Sequence, residues 1–155
     1  SKAFSCLGAF VTCSPELKPL LKMRARTWVF GGPVPPPYLA AICAVCELLD
    51  SPDFEALSAR LNARIAHLRS GLQRLKLAAL PGPGPIVSIP IGSVEKTLAA
   101  GRMLFERGYY VQSVTYPAVS VFEGLLRILV NANHEPTAID GLLDALSGLS
   151  PDTSS

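Results

Sequence analysis

Charge is scarce in this chain: Asp, Glu, Lys and Arg make up 17% of its 155 residues, and the formal net charge is only +2. That balance excludes the strong positive field with which nucleic-acid binders gather phosphates, and no basic tail or run of like charge supplies one locally. Cysteine is sparse as well. Cys6, Cys13, Cys43 and Cys46 are too few for a disulfide scaffold and suit reduced thiols in a cytoplasmic protein. With only two histidines there is no clustered ligand set, and no metal is expected. The longest apolar stretch, Tyr38 to Leu49, is broken at both ends by prolines and acids, so no bilayer span is expected. The first residues lack the basic segment and apolar run of a secretory signal. A Gly-rich phosphate loop, acids paired at catalytic spacing and a Ser-His-Asp pattern are all missing too.

What is plentiful is apolar: hydrophobic residues reach 49%, enough for a substantial core and against disorder except at the ends. The expectation is one soluble intracellular domain, or one domain plus a remnant of another. The chain opens on Ser1-Lys2 with no initiator methionine and runs straight into an apolar segment. That opening suggests a fragment or a processed product.

Along the chain, Phe4 to Cys13 reads as a buried strand or hairpin. Ser14-Pro15-Glu16 starts a helix that continues to about Arg26. Thr27 to Phe30 reads as a short extended piece, and Gly31-Gly32-Pro33-Val34-Pro35-Pro36-Pro37 is a stiff connection. A helix with little polar surface follows over Tyr38 to Leu49. Phe54, Leu57, Leu61, Ile65, Leu72 and Leu75 then recur at helical spacing and predict a long amphipathic helix. Ile86 to Ile91 reads as a strand, Ser93 caps a helix closed by Gly108, and Tyr109 to Val114 is a more polar strand. Leu125 to Val130 is apolar enough to be central, and Pro136 opens a last helix with Ile139, Leu142, Leu143 and Leu146 on one face. The sum is a small α/β sandwich preceded by a segment, Ser1 to about Pro36, that is not self-sufficient.

Two residues carry the chemical interest. Lys2 is followed by small and apolar residues, where an amine could be desolvated and made nucleophilic; a surface lysine is the plainer alternative. Arg127 interrupts the strongest strand. Its charge cannot be removed by deprotonation, so it needs a carboxylate or other anion, an ion-pair partner, or a strand end that reaches water. Cys43 and Cys46 lie mid-helix in an apolar stretch and read as two small core residues one turn apart. His67 reads as solvated, and His134 as a structural hydrogen-bonding residue.

Ser1-Lys2-Ala3-Phe4 followed by Gly8-Ala9-Phe10 resembles the cofactor-lysine segment of the α-oxoamine synthase family. The resemblance continues to Pro35-Pro36, resumes at Tyr116-Pro117-Ala118-Val119, and runs through Leu126-Arg127, Ala132, His134 and Ile139-Asp140. It implies the C-terminal portion of a fold-type-I, pyridoxal-phosphate-dependent transferase. Residues 1–36 would end the large cofactor domain, 37–150 would form the small C-terminal α/β domain, and 151–155 would be a frayed tail. It further implies that Lys2 binds pyridoxal phosphate covalently and later moves protons at the amino acid's α-carbon, and that Arg127 fixes the substrate carboxylate. The substrates would be an amino acid and an acyl-CoA thioester, in a homodimer with sites between subunits.

Three positions depart from the family pattern. Gly31-Gly32-Pro33 stands where Thr and Ser side chains reach the partner subunit's cofactor phosphate, leaving only the backbone donors of Gly31 or Gly32. Ser120 replaces a proline, and Leu125 replaces a second arginine. The upstream aromatic, aspartate and phosphate loop of such enzymes have no counterpart here, so the chain alone is expected to be inactive. An aminotransferase of the same fold, or a non-catalytic partner subunit, are the alternatives.

Overall fold

The structure, a computed structural model, describes residues 4–149; Lys2 and the tail over 151–155 lie outside the described residues. The chain divides into two compact units, Ser1–Phe54 and Glu55–Ser155.

The first unit is helical where it is regular, with α1 (Leu17–Arg24), α2 (Arg26–Phe30) and α3 (Pro36–Leu49). Residues 4–13 form turns and irregular chain, not the expected strand or hairpin. A buried strand needs neighbours for its N–H and C=O groups, and this unit has no other strand among its described residues. The expected extended piece at Thr27–Phe30 is likewise helical. Ala25 is extended and separates α1 from α2, and its carbonyl then receives the N–H groups of Trp28 and Val29 at 3.0 and 3.1 Å. Local hydrogen bonds here outweigh the modest strand preference of Thr, Trp, Val and Phe. Pro35 precedes α3 and Pro36 opens it, where a missing N–H costs nothing. No residue of α1, α2 or α3 is buried. Cys43 and Cys46 are therefore exposed, not the core residues expected, because the apolar helix that carries them has no buried face.

The chain enters the second unit along α4 (Pro52–Arg74), as the heptad-like spacing predicts. The unit then runs β1 (Ile86–Gly92), α5 (Val94–Glu106), β2 (Gln112–Val114), β3 (Gly124–Leu129) and α6 (Pro136–Leu146). The strands form one antiparallel sheet in the order β1-β3-β2, with the apolar β3 in the middle as expected. β2 is shorter than the predicted Tyr109–Val114, because the Tyr109 N–H turns back to the Leu104 carbonyl (2.9 Å) and closes α5.

Alternation along the strands divides the sheet into two different faces. Val87, Ile89, Leu126 and Ile128 point into the core with Leu68 and Leu72 of α4, Ala100 and Leu104 of α5, and Ile139, Leu142 and Leu146 of α6. The opposite face carries Ile86 and Leu129, each more than half exposed. α5 packs across all three strands. It can do so at Gly124 because a Cβ there would strike the Thr97 hydroxyl and come within 2.9 Å of the Gly92 carbonyl. Thr97 itself is fully buried, its hydroxyl donating to the Ser93 carbonyl at 2.9 Å.

Outside the core, arginines join the elements through carbonyls. Arg64 Nε donates to the His134 carbonyl (2.8 Å), Arg69 Nη1 to that of Leu80 (3.2 Å), and Arg107 Nη1 to that of Ala145 near the end of α6 (3.0 Å). His67 and Asp140 pair across α4 and α6 at 2.6 Å, so His67 is partnered, not merely solvated. No helix among the described residues is long and apolar enough to cross a membrane.

Two measurements check this account. Leu126→Ala empties the centre of the core and should cost about 2–5 kcal/mol in urea unfolding. Glu95, in the first turn of α5, has its carboxyl held below the ordinary range by its own backbone N–H and then by the Ser93 hydroxyl. A depressed folded value gives stability that is present above the unfolded value and lost as pH falls through the folded one. Glu95→Gln should therefore shrink the stability difference between neutral and strongly acid solution.

A candidate carboxylate site on the open sheet face

Arg127 sits at the middle of β3 and points to the open face of the sheet, with Leu125 and Leu129 on either side along the strand. Its register partners are Ser88 on β1 and Gln112 on β2. Arg127 Nη2 donates a short hydrogen bond to the Gln112 side-chain oxygen. Arg127 Nε is shielded from solvent and has no partner. Among the described residues Arg127 makes no ion pair. The guanidinium is thus not the structural ion pair that the sequence allowed; Nη2 is engaged by Gln112, and Nε is the one guanidinium atom withdrawn from solvent without an acceptor among the described residues. A planar carboxylate is the acceptor that a guanidinium fork matches.

The other predicted positions lie in the first unit or beyond the described residues. Lys2 is one of the latter. Gly31 ends α2, and its N–H donates to the Thr27 carbonyl at 3.1 Å. A Cβ at Gly31 would collide with that same carbonyl, so glycine here serves the helix end. Gly32 differs: its N–H has no acceptor among the described residues, and a Cβ would meet nothing within 4 Å. Of the two backbone donors, that of Gly32 is without an acceptor among the described residues and that of Gly31 is engaged by Thr27. His134 is structural, its Nδ1 accepting from the Asn131 N–H at 3.3 Å. Gln112 was not legible as part of the site, because its pairing with Arg127 depends on a strand register set by the loop between them. The one signal available was its position two residues before Val114, on the same side of a short strand.

A small antiparallel sheet covered by helices on one face, with an arginine centred on the other, has the fold of the C-terminal part of fold-type-I transferases. The 8-amino-7-oxononanoate synthase of Francisella tularensis superposes with a TM-score of 0.80 at 24% identity, covering 94% of this chain and 42% of that one. The serine palmitoyltransferase of Sphingomonas wittichii also superposes at 0.80, with 22% identity, 97% of this chain and 39% of that one covered. The family model for aminotransferase class I and II matches residues 1–146, and the chain belongs to that family. In sequence, a relative from Desulforudis audaxviator is 40% identical over 94% of this chain and 37% of its own length. The 8-amino-7-oxononanoate synthase of Geobacter sulfurreducens is 34% identical, with the same coverage. The chain spans a little over a third of the length of these curated relatives.

The two glycines should respond differently to substitution. Gly31→Ala should lower thermal stability, by about 1–3 kcal/mol as for other forced overpacking, whereas Gly32→Ala should leave it unchanged. Equal effects would mean that the Thr27 carbonyl does not constrain position 31.

Proposed function

We propose that the protein carrying this chain is a pyridoxal-phosphate-dependent acyltransferase that condenses an amino acid with an acyl-CoA or acyl-carrier thioester to give an α-oxoamine, usually with loss of carbon dioxide. The observation that carries this reading is Arg127, a centred guanidinium on an open sheet face whose partner is the neutral Gln112 and no acid. The names of the synthase relatives support the reaction class. Bound pyridoxal phosphate would supply the electron sink for bond breaking at the amino acid's α-carbon.

The chain's own residues then have distinct tasks. Lys2 anchors the cofactor and afterwards moves a proton at the α-carbon. Arg127 receives the substrate carboxylate through parallel N–H bonds and so fixes which α-carbon bond faces the cofactor. The Gly32 N–H offers a donor to a cofactor phosphate.

Residues 1–36 are read as the end of a large cofactor domain and 37–150 as the small domain. Bare apolar surface within residues 1–36 supports a cover from chain outside the segment: Phe10 and Phe30 are 84% and 85% exposed, and Trp28 is 65% exposed, although the compact units divide later, after Phe54. Surfaces of that kind are normally covered. A cytoplasmic homodimer with its sites at the subunit interface completes the proposal. One observation favours a second reading, a non-catalytic partner subunit: Gly31 has no free donor, and no hydroxyl stands at positions 31–33.

The test is turnover of amino acid and acyl thioester by the full-length protein, with release of free thiol as the readout. Arg127→Ala should raise the KM for the amino acid roughly a hundredfold, as for loss of one member of a hydrogen-bonded charge pair, and leave that for the thioester in place. Amino-group transfer to a keto acid without thioester would identify an aminotransferase. A full-length protein that binds no cofactor would identify the partner subunit. The 155-residue chain alone should form no product.

A further inference from the structure

We infer that Gln112 is a positioning residue for Arg127, orienting the guanidinium toward a substrate carboxylate without neutralising it. This rests on the carboxylate reading above. The two residues are register partners on adjacent strands, and the Gln112 side-chain oxygen accepts from Arg127 Nη2. On that face the register places Leu125 and Leu129 beside Arg127 along its own strand, Ser88 across on β1, and Ile86, Pro90 and Val114 on the diagonals. None of them carries charge. An arginine side chain has about 2 kcal/mol of rotamer freedom, which apolar neighbours do little to restrict. A single acceptor fixed on β2 removes much of that freedom before any ligand arrives.

The chemistry of the acceptor matters as much as its place. A glutamate at position 112 would hold the guanidinium equally well but would also satisfy its charge, in competition with the substrate. An aliphatic side chain would leave the charge free but unaimed. The amide aims and does not neutralise. Because Gln112 engages only Nη2 and adds no charge, the guanidinium keeps its charge and its other Nη donors for an anionic acceptor.

The experiment compares Gln112→Met, which keeps the length and loses the acceptor, with Gln112→Glu and Arg127→Ala in the full-length protein. Gln112→Met should raise the KM for the amino acid about tenfold, the loss of one hydrogen bond to a charged group, with kcat and the thioester KM little changed. Gln112→Glu should raise it further. Its kcat/KM, divided by that of the parent, should recover as pH falls through the range in which the new carboxylate protonates. A merely structural residue would not produce that profile. If Arg127→Ala raises the amino-acid KM and neither Gln112 variant does, Gln112 has no positioning role. If Arg127→Ala also leaves it unchanged, the carboxylate reading itself is wrong and this inference falls with it. Should Gln112→Met fail to fold, the pH profile of Gln112→Glu decides alone.

Discussion

A guanidinium cannot shed its proton at any pH a protein tolerates, so a strand that carries one through its middle has to be built around a permanent charge. In this molecule the solution is spatial separation. Alternation along β3 sends Leu126 and Ile128 into the core and Arg127 out of it, so the same six residues hold the sheet together and present a cation. Three helices cover the apolar face, and α5 comes close to it at Gly124. On the other face no acid stands opposite Arg127 among the described residues.

The two units differ in how they answer the hydrophobic effect. The second has a core that any soluble domain would recognise, with Val87, Leu104, Leu126 and Leu146 withdrawn from water. The first has sequences just as apolar and buries almost none of them, Cys6 being its one buried hydrophobic residue among those described. Local hydrogen bonding is enough to make α2 and α3 helical, but burial is not supplied by the described residues of that unit. A segment can therefore have well-formed secondary structure and still depend on chain elsewhere for its stability.

This difference explains what could be read in the sequence. The long helix α4, the cap at Ser93, the strand broken by Arg127 and the amphipathic α6 were legible, because their periodicity reflects a core that is present. The strand expected over residues 4–13 and the buried role expected for Cys43 and Cys46 were read from the same apolar signal, but that signal does not say what will cover it. Arg127 stood out because charge in a strand is rare. Gln112 did not, because an amide in a polar strand is ordinary and only the register gives it a partner. Lys2 stands outside the described residues, and its role rests on the resemblance of the residues around it.

The arginines that tie the second unit together also give it a particular tolerance. Arg64, Arg69 and Arg107 donate to backbone carbonyls and not to carboxylates. Neither side of such a bond titrates between acid and alkaline extremes, and mobile ions screen a charge–dipole contact less than an exposed ion pair. The links from α4 to the turn after β3, and from the end of α5 to the end of α6, thus persist through changes of acidity and ionic strength that would loosen a surface held by acid–base pairs.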